Sequence, residues 1–166
     1  MQPLILTLKM DAASFDHLNA LRQQHFPRER NHLGAHLTLF HALPAERETQ
    51  IRADLDEVCG ATTKMKLEFP ALKFLGKGSA VEVNAPAVEK LRRELSARWR
   101  PFLGAQDARV IRPHITIQNK AAPEVARQLF DELSSNWRMD DGRGEGVSLW
   151  VYEGGPWKWL ADWEFV

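Results

Sequence analysis

Residues 3–10, PLILTLKM, are β-forming and predict a first strand. From Asp11 the period changes. Phe15, Leu18 and Leu21, with Phe26 just beyond, recur at helical spacing, so a helix capped by Asp11 is predicted to run to about His25. The next stretch, FPRERNHLGA, is rich in turn formers and basic groups and reads as a loop. HLTLFHAL returns to a strand, which Pro44 ends. Residues 45–59 predict a second helix, with Ile51, Leu55 and Val58 on one face. Residues 62–75 carry β signals broken by Pro70, and Gly76 and Gly78 flank a turn.

The same order then recurs. Residues 79–84, SAVEVN, predict a strand. Asn84 and Pro86 suggest a cap and a proline in the first helical turn. Val88, Leu91, Leu95, Trp99 and Phe102 form the apolar stripe of a helix ending near Gly104. A loop bearing Arg109 and Arg112 leads into the strand HITIQN. Pro123 opens a helix to about Trp137, with Val125, Leu129 and Leu133 in register. DDGRGEG reads as a polar linker. Two strands follow, near 147–152 and 157–165, separated by Gly154-Gly155-Pro156. In the second, Trp157, Trp159, Trp163 and Phe165 share a parity and predict one buried face.

Each half therefore runs strand, helix, strand, helix, then strand or hairpin. The third element of each half carries the same four-residue pattern, His-apolar-Thr-apolar. The copies are His36-Leu37-Thr38-Leu39 and His114-Ile115-Thr116-Ile117. In a strand, alternate side chains share a face. His36 and Thr38 thus lie together, as do His114 and Thr116, with the apolar residues turned to a core. Random placement of six His and six Thr gives roughly 0.2 His-x-Thr matches per chain, and the apolar residues that follow lower the chance further. Two matched copies, in matched contexts, point to a repeat with halves at about 1–76 and 77–166 inside one domain, 1–166. Packed about a pseudo-two-fold axis, the halves would bring both His/Thr pairs to one groove. No Gly-rich loop follows a strand, which argues against a doubly wound nucleotide fold.

The chemistry of such a pair suits a phosphodiester. Cleavage needs a base for the attacking water or hydroxyl and an acid for the leaving oxygen. Histidine can serve as either near neutral pH. Each threonine hydroxyl can donate to a non-bridging phosphate oxygen and stabilise the charge that develops there. The reaction needs no metal. His32 and His36 have helical zinc spacing, but Gly34 and the following strand oppose a helix there, and neither HExxH nor a cysteine cluster occurs.

The doubled motif, its separation and the strand–helix order resemble the 2H phosphoesterase superfamily. The resemblance covers essentially the whole chain. It is strongest to the bacterial 2′-5′ RNA ligase-like and cyclic phosphodiesterase branch. It implies a bilobal α+β fold, with two pseudo-symmetric units and antiparallel sheets around a central cleft. It implies action on a 2′,3′-cyclic phosphate or a 2′-5′ linkage in a nucleotide or RNA end. His36 and His114 would be catalytic, and Thr38 and Thr116 would bind phosphate. Nucleotide or RNA binding without turnover, and 2′-5′ RNA ligation as the reverse reaction, are the alternatives. No cofactor is expected.

Other residues are candidates for substrate contact. Phe40 extends the face of His36 and Thr38, where it either stacks on a base or packs between lobes. Gln118 is its counterpart after Thr116. Arg30, with Arg28 and His32, precedes the first motif. Arg112 adjoins His114 through Pro113, and arginine suits phosphate. His41 alternates away from His36 and is expected to be structural or exposed.

Lys plus Arg and Asp plus Glu each number 22, so the net charge is zero and tight binding to long nucleic acid is disfavoured. A single cysteine, Cys59, excludes an intrachain disulfide and fits a reducing compartment. No basic leader or membrane-length apolar run is present. A cytoplasmic monomer, without membrane or obligate protein partner, is the expectation.

Overall fold

The computed structural model describes residues 1–166. Eight strands and four α-helices follow the predicted order. They are β1 (Leu4–Met10), α1 (Ala12–His25), β2 (Leu37–Leu43), α2 (Glu48–Gly60), β3 (Met65–Leu67), β4 (Leu72–Phe74), β5 (Ser79–Glu82), α3 (Pro86–Trp99), β6 (His114–Gln118), α4 (Pro123–Ser135), β7 (Gly142–Tyr152) and β8 (Trp157–Glu164). No helix is long and apolar enough to cross a membrane.

Two antiparallel sheets form. One has the order β2-β1-β7-β3, with β8 also on β7; the other is β4-β5-β6. Each sheet draws strands from both sequence halves: the chain leaves the larger sheet after β3, passes Pro70 and enters the smaller one at β4, while β7 and β8 return to the larger sheet. The helices cross over as well. α1 packs on β6, α4 on β4 and β5, α2 on β8 and α3 on β3. One apolar cluster joins the layers. It includes Leu6, Leu37, Leu39, Leu55, Leu95, Trp99, Ile115 and Ile117. The motif strands β2 and β6 approach each other where the sheets meet.

Local signals account for most of these boundaries. The Asp11 carboxylate accepts from Ser14 N at 3.1 Å and caps α1; its other oxygen accepts from Arg143 N at 2.8 Å and ties the helix start to β7. Pro86 and Pro123 open α3 and α4. The β4–β5 turn uses Gly76 at φ +86°, a conformation that glycine adopts without a steric penalty.

Several expectations are corrected. Asn84 does not cap α3. The cap position is Ala85, and the Asn84 amide donates instead to Glu68. Val125 is exposed; α4 buries Ala126 and Leu129. DDGRGEG is not a linker, since its glycines begin β7, the central strand of the larger sheet. Gly146 is required there because a Cβ would lie 2.2 Å from the Trp163 carbonyl oxygen. The aromatic residues of β8 do not share one buried face. The β7–β8 register shifts between Leu149/Ala161 and Trp150/Trp159, which breaks the parity. Trp159 is exposed, Trp157 and Trp163 are half-buried, and Phe165 alone reaches the core.

The Gly146 contact is with backbone, which cannot swing aside. Gly146→Ala is therefore expected to cost at least about 2 kcal/mol in urea unfolding. Gly104→Ala, where nothing lies within 4 Å of the added carbon, should change stability by less than about 1 kcal/mol. Equal effects at both positions would contradict the close packing of β7 on β8.

Candidate active site

The two motif strands deliver their polar faces to one pocket. His36, Thr38, His114 and Thr116 line a cavity of about 200 Å³, together with His41 and Trp157. The apolar partners, Leu37, Leu39, Ile115 and Ile117, are completely buried on the other side. Alternation along each strand produces this split.

The two histidines are held in the same way. His36 Nδ1 lies 2.8 Å from the Gly34 carbonyl oxygen, and His114 Nδ1 lies 2.8 Å from the Arg112 carbonyl oxygen. A carbonyl only accepts, so Nδ1 carries the hydrogen in each ring. Nε2 is left as the nitrogen that can exchange a proton with a ligand. In each case the anchor is the backbone two residues upstream, so the device is local to the chain entering the motif.

Their surroundings differ. Desolvation pushes the pKa of His36 down to about 4; the Arg22 guanidinium, and any positive charge on His41 or His114, acts in the same direction, against the hydrogen bond to Gly34. His36 is therefore neutral at neutral pH. The Trp157 ring lies 4.8 Å from the His36 ring, tilted by 59°, and covers it.

Two buried arginines fix the strands from behind. Arg22 of α1 donates from Nη1 to the Thr116 carbonyl at 3.0 Å and from Nε to Asn31 Oδ1 at 2.9 Å. Burial lowers its pKa to about 10, which still leaves it charged. Arg92 of α3 donates to the carbonyls of Leu39 and Asp107 and lies 3.8 Å above the Phe40 ring.

Asp107 completes this layer. It is 2% exposed, and its two carboxylate oxygens accept from His41 N and Ala42 N, each at 2.8 Å. Burial works against its charge, but the hydrogen bonds from His41 and Ala42 outweigh it and hold its pKa below the usual carboxylate range.

The other candidates fall elsewhere. Phe40 is fully buried and packs edge-on against Trp99, 5.0 Å between centroids, so it offers no face to a base. The β1–β2 register shifts on either side of Leu6/Phe40, which turns Phe40 inward after Thr38. Gln118 is also buried, and its Nε2 donates to the His25 carbonyl at 3.3 Å; an irregularity between Ser79 and Ala80 breaks the parity there. Arg30 is exposed at the end of a single 3₁₀ turn and lines neither this cavity nor its neighbour. Arg112 lines an adjoining cavity of about 360 Å³, with Lys73, Glu82, Asn84, Glu89 and His114.

Strand alternation alone does not assign two of the pocket residues, His41 and Trp157, to the site. A bulge exposes the first, and a turn after Gly154-Gly155 delivers the second. Neither is encoded by the local period.

The fold has solved counterparts. The E. coli LigT apo structure superposes with a TM-score of 0.63 at 16% identity, covering 99% of this chain and 98% of that one. E. coli LigT complexed with 3′-AMP gives 0.63 at 15% identity, covering 99% and 98%. TT0787 of Thermus thermophilus gives 0.66 at 16% identity, covering 98% and 97%. No curated protein matches the chain by sequence. The family pattern of the 2′-5′ RNA ligase superfamily matches residues 10–156. With that match across most of its length, the chain belongs to the 2′-5′ RNA ligase superfamily, the 2H phosphoesterases.

Proposed function

We propose that the protein is a metal-independent phosphodiesterase that opens a 2′,3′-cyclic phosphate, or cleaves a 2′-5′ linkage, in a nucleotide or RNA end. The observation that carries this reading is the matched anchoring of His36 and His114. Both rings are held at Nδ1, and both line one pocket with a threonine beside them. Nucleotide-sized substrates are further supported by E. coli LigT, which shares the fold and is complexed with 3′-AMP, with ATP and with NADP+.

His36, neutral because of its surroundings, is the base. Its Nε2 takes a proton from water as the water oxygen bonds to phosphorus. The P–O bond to the leaving ribose oxygen breaks, and His114 Nε2–H donates its proton to that oxygen. His36 ends protonated and His114 neutral; exchange with solvent restores both. The hydroxyls of Thr38 and Thr116 donate to the non-bridging oxygens and hold the charge that grows there. The 360 Å³ cavity adjoins His114, so it lies on the leaving-group side, with Arg112 and Lys73 available to the nucleoside or the next phosphate. Ligation is the same path reversed and requires aligned RNA ends. Binding without turnover is the remaining alternative, and the intact histidine pair favours catalysis over it.

Turnover of 2′,3′-cyclic nucleotides and 2′-5′-linked dinucleotides is expected, and it should persist in excess EDTA. His36→Ala and His114→Ala should each slow single turnover by roughly 10² to 10⁴, the usual worth of a positioned proton-transfer group. The double variant should lose much less than the product of the two. Near-wild-type rates in either single variant would leave only the binding function. Loss of activity in EDTA, restored by zinc or manganese, would refute the metal-free mechanism.

The pH profile of kcat/KM follows from the state of His36 in the free protein. The base must be deprotonated, and its pKa lies near 4, so the acid limb should fall well below the ordinary histidine value. An acid limb at about pH 6.5 or above would assign the base role elsewhere.

A further inference from the structure

The pocket contains a third histidine that the two motifs do not supply. His41 lines the same cavity as His36, Thr38, His114 and Thr116, with its side chain 42% exposed. Its presence there depends on a defect in β2. The pairing with β1 runs through Thr7/Thr38, Leu6/Phe40 and Leu4/Leu43, so β2 gains a residue on each side of Phe40. Two consecutive amides, those of His41 and Ala42, are then taken by the two oxygens of Asp107. One of those oxygens also lies 3.3 Å from His41 Nδ1.

An ionised carboxylate only accepts, so Nδ1 carries the hydrogen and Nε2 is the nitrogen left to the pocket. His41 is thus held as His36 and His114 are held, with a buried carboxylate in place of a carbonyl. Asp107 is itself tied down. Its backbone oxygen accepts from Arg92, and its side chain is almost inaccessible. The position equivalent to His41 after His114 is Asn119, whose side chain accepts from Lys120 N, so the feature exists on one side only.

Resting on the phosphodiesterase reading of the cleft, we propose that His41 is a third phosphate ligand, presented by Asp107, which takes a proton from solvent when phosphate binds and donates Nε2–H to a non-bridging oxygen. In the bound state the ring lies between two anions, the carboxylate at Nδ1 and the phosphate at Nε2. The charged and titratable groups around it are Asp107 from the loop after α3, Arg92 from α3, His36 ahead of β2, and His114 from β6. Of these only Asp107 is anionic, so a bound phosphate supplies the second negative charge that the ring meets. Once protonated, His41 joins the charges that disfavour protonation of His36. It therefore breaks the equivalence of the two motif histidines and favours His36 as the base.

Titration of ¹⁵N-histidine-labelled protein with inorganic phosphate tests this without any variant. At neutral pH the Nε2 resonance of His41 should move toward the imidazolium position as phosphate saturates. His41→Ala and His41→Gln leave both backbone bonds to Asp107 in place. Each should raise the Kd for phosphate roughly ten- to a hundredfold, the usual range for one charge-assisted hydrogen bond. If phosphate shifts His36 and His114 while His41 Nε2 stays unmoved, the proposal fails and the phosphodiesterase reading stands. Phosphate affinity within twofold of wild type in both variants would also overturn it. If no histidine responds to phosphate, both readings fail.

Discussion

The site depends on two buried guanidinium groups that reach across the molecule to backbone carbonyls. Arg22 leaves α1 and holds β6 at Thr116; Arg92 leaves α3 and holds β2 at Leu39. Each motif strand is thereby fixed from behind by a helix, at or next to the residue that presents the threonine. A buried cation with hydrogen-bonded acceptors is stable only where the geometry is kept, because a lost partner leaves its charge unsatisfied. The crossing bonds therefore penalise relative movement of the two sheets. The same charge reaches the front of the site, since Arg22 is one of the groups that keep His36 unprotonated.

In front of that frame, the two motif histidines are held by short-range devices. Each motif histidine is steered by a carbonyl two residues earlier, so orientation is built into the incoming chain. What distinguishes the two sides lies outside the motifs. Trp157, Arg22 and His41 surround His36, whereas His114 opens onto the cavity lined by Arg112. A pseudo-symmetric scaffold thus carries an asymmetric pair, which is what the proposed division into base and acid requires.

The order of elements and the His/Thr faces are legible in the sequence because period and capping are local. Asp11, Pro86 and Pro123 mark helix starts through their own backbone chemistry, and the alternation in HLTL and HITI places two polar residues opposite two apolar ones. Errors cluster where strands are irregular. Counting in twos misplaces Phe40, His41 and Gln118, and each lies at or just beyond a register shift. Those shifts answer to distant partners, such as the Asp107 carboxylate that takes two β2 amides, and no window around Phe40 contains them. The GRGEG glycines mislead for a related reason. They signal a loop in isolation, but β7 needs them because neighbouring strands and α1 approach its backbone closely.

The central claim is that His36 and His114 act on opposite sides of one phosphorus atom. A crystal structure with a nucleoside 2′,3′-cyclic vanadate, a five-coordinate mimic of the displacement, tests it most directly. The account predicts His36 Nε2 within about 3 Å of the axial oxygen that stands for water, and His114 Nε2 at a similar distance from the opposite axial ribose oxygen. The hydroxyls of Thr38 and Thr116 should meet equatorial oxygens. A vanadate bound with both histidines on one side, or with either histidine out of reach of an axial oxygen, would contradict it.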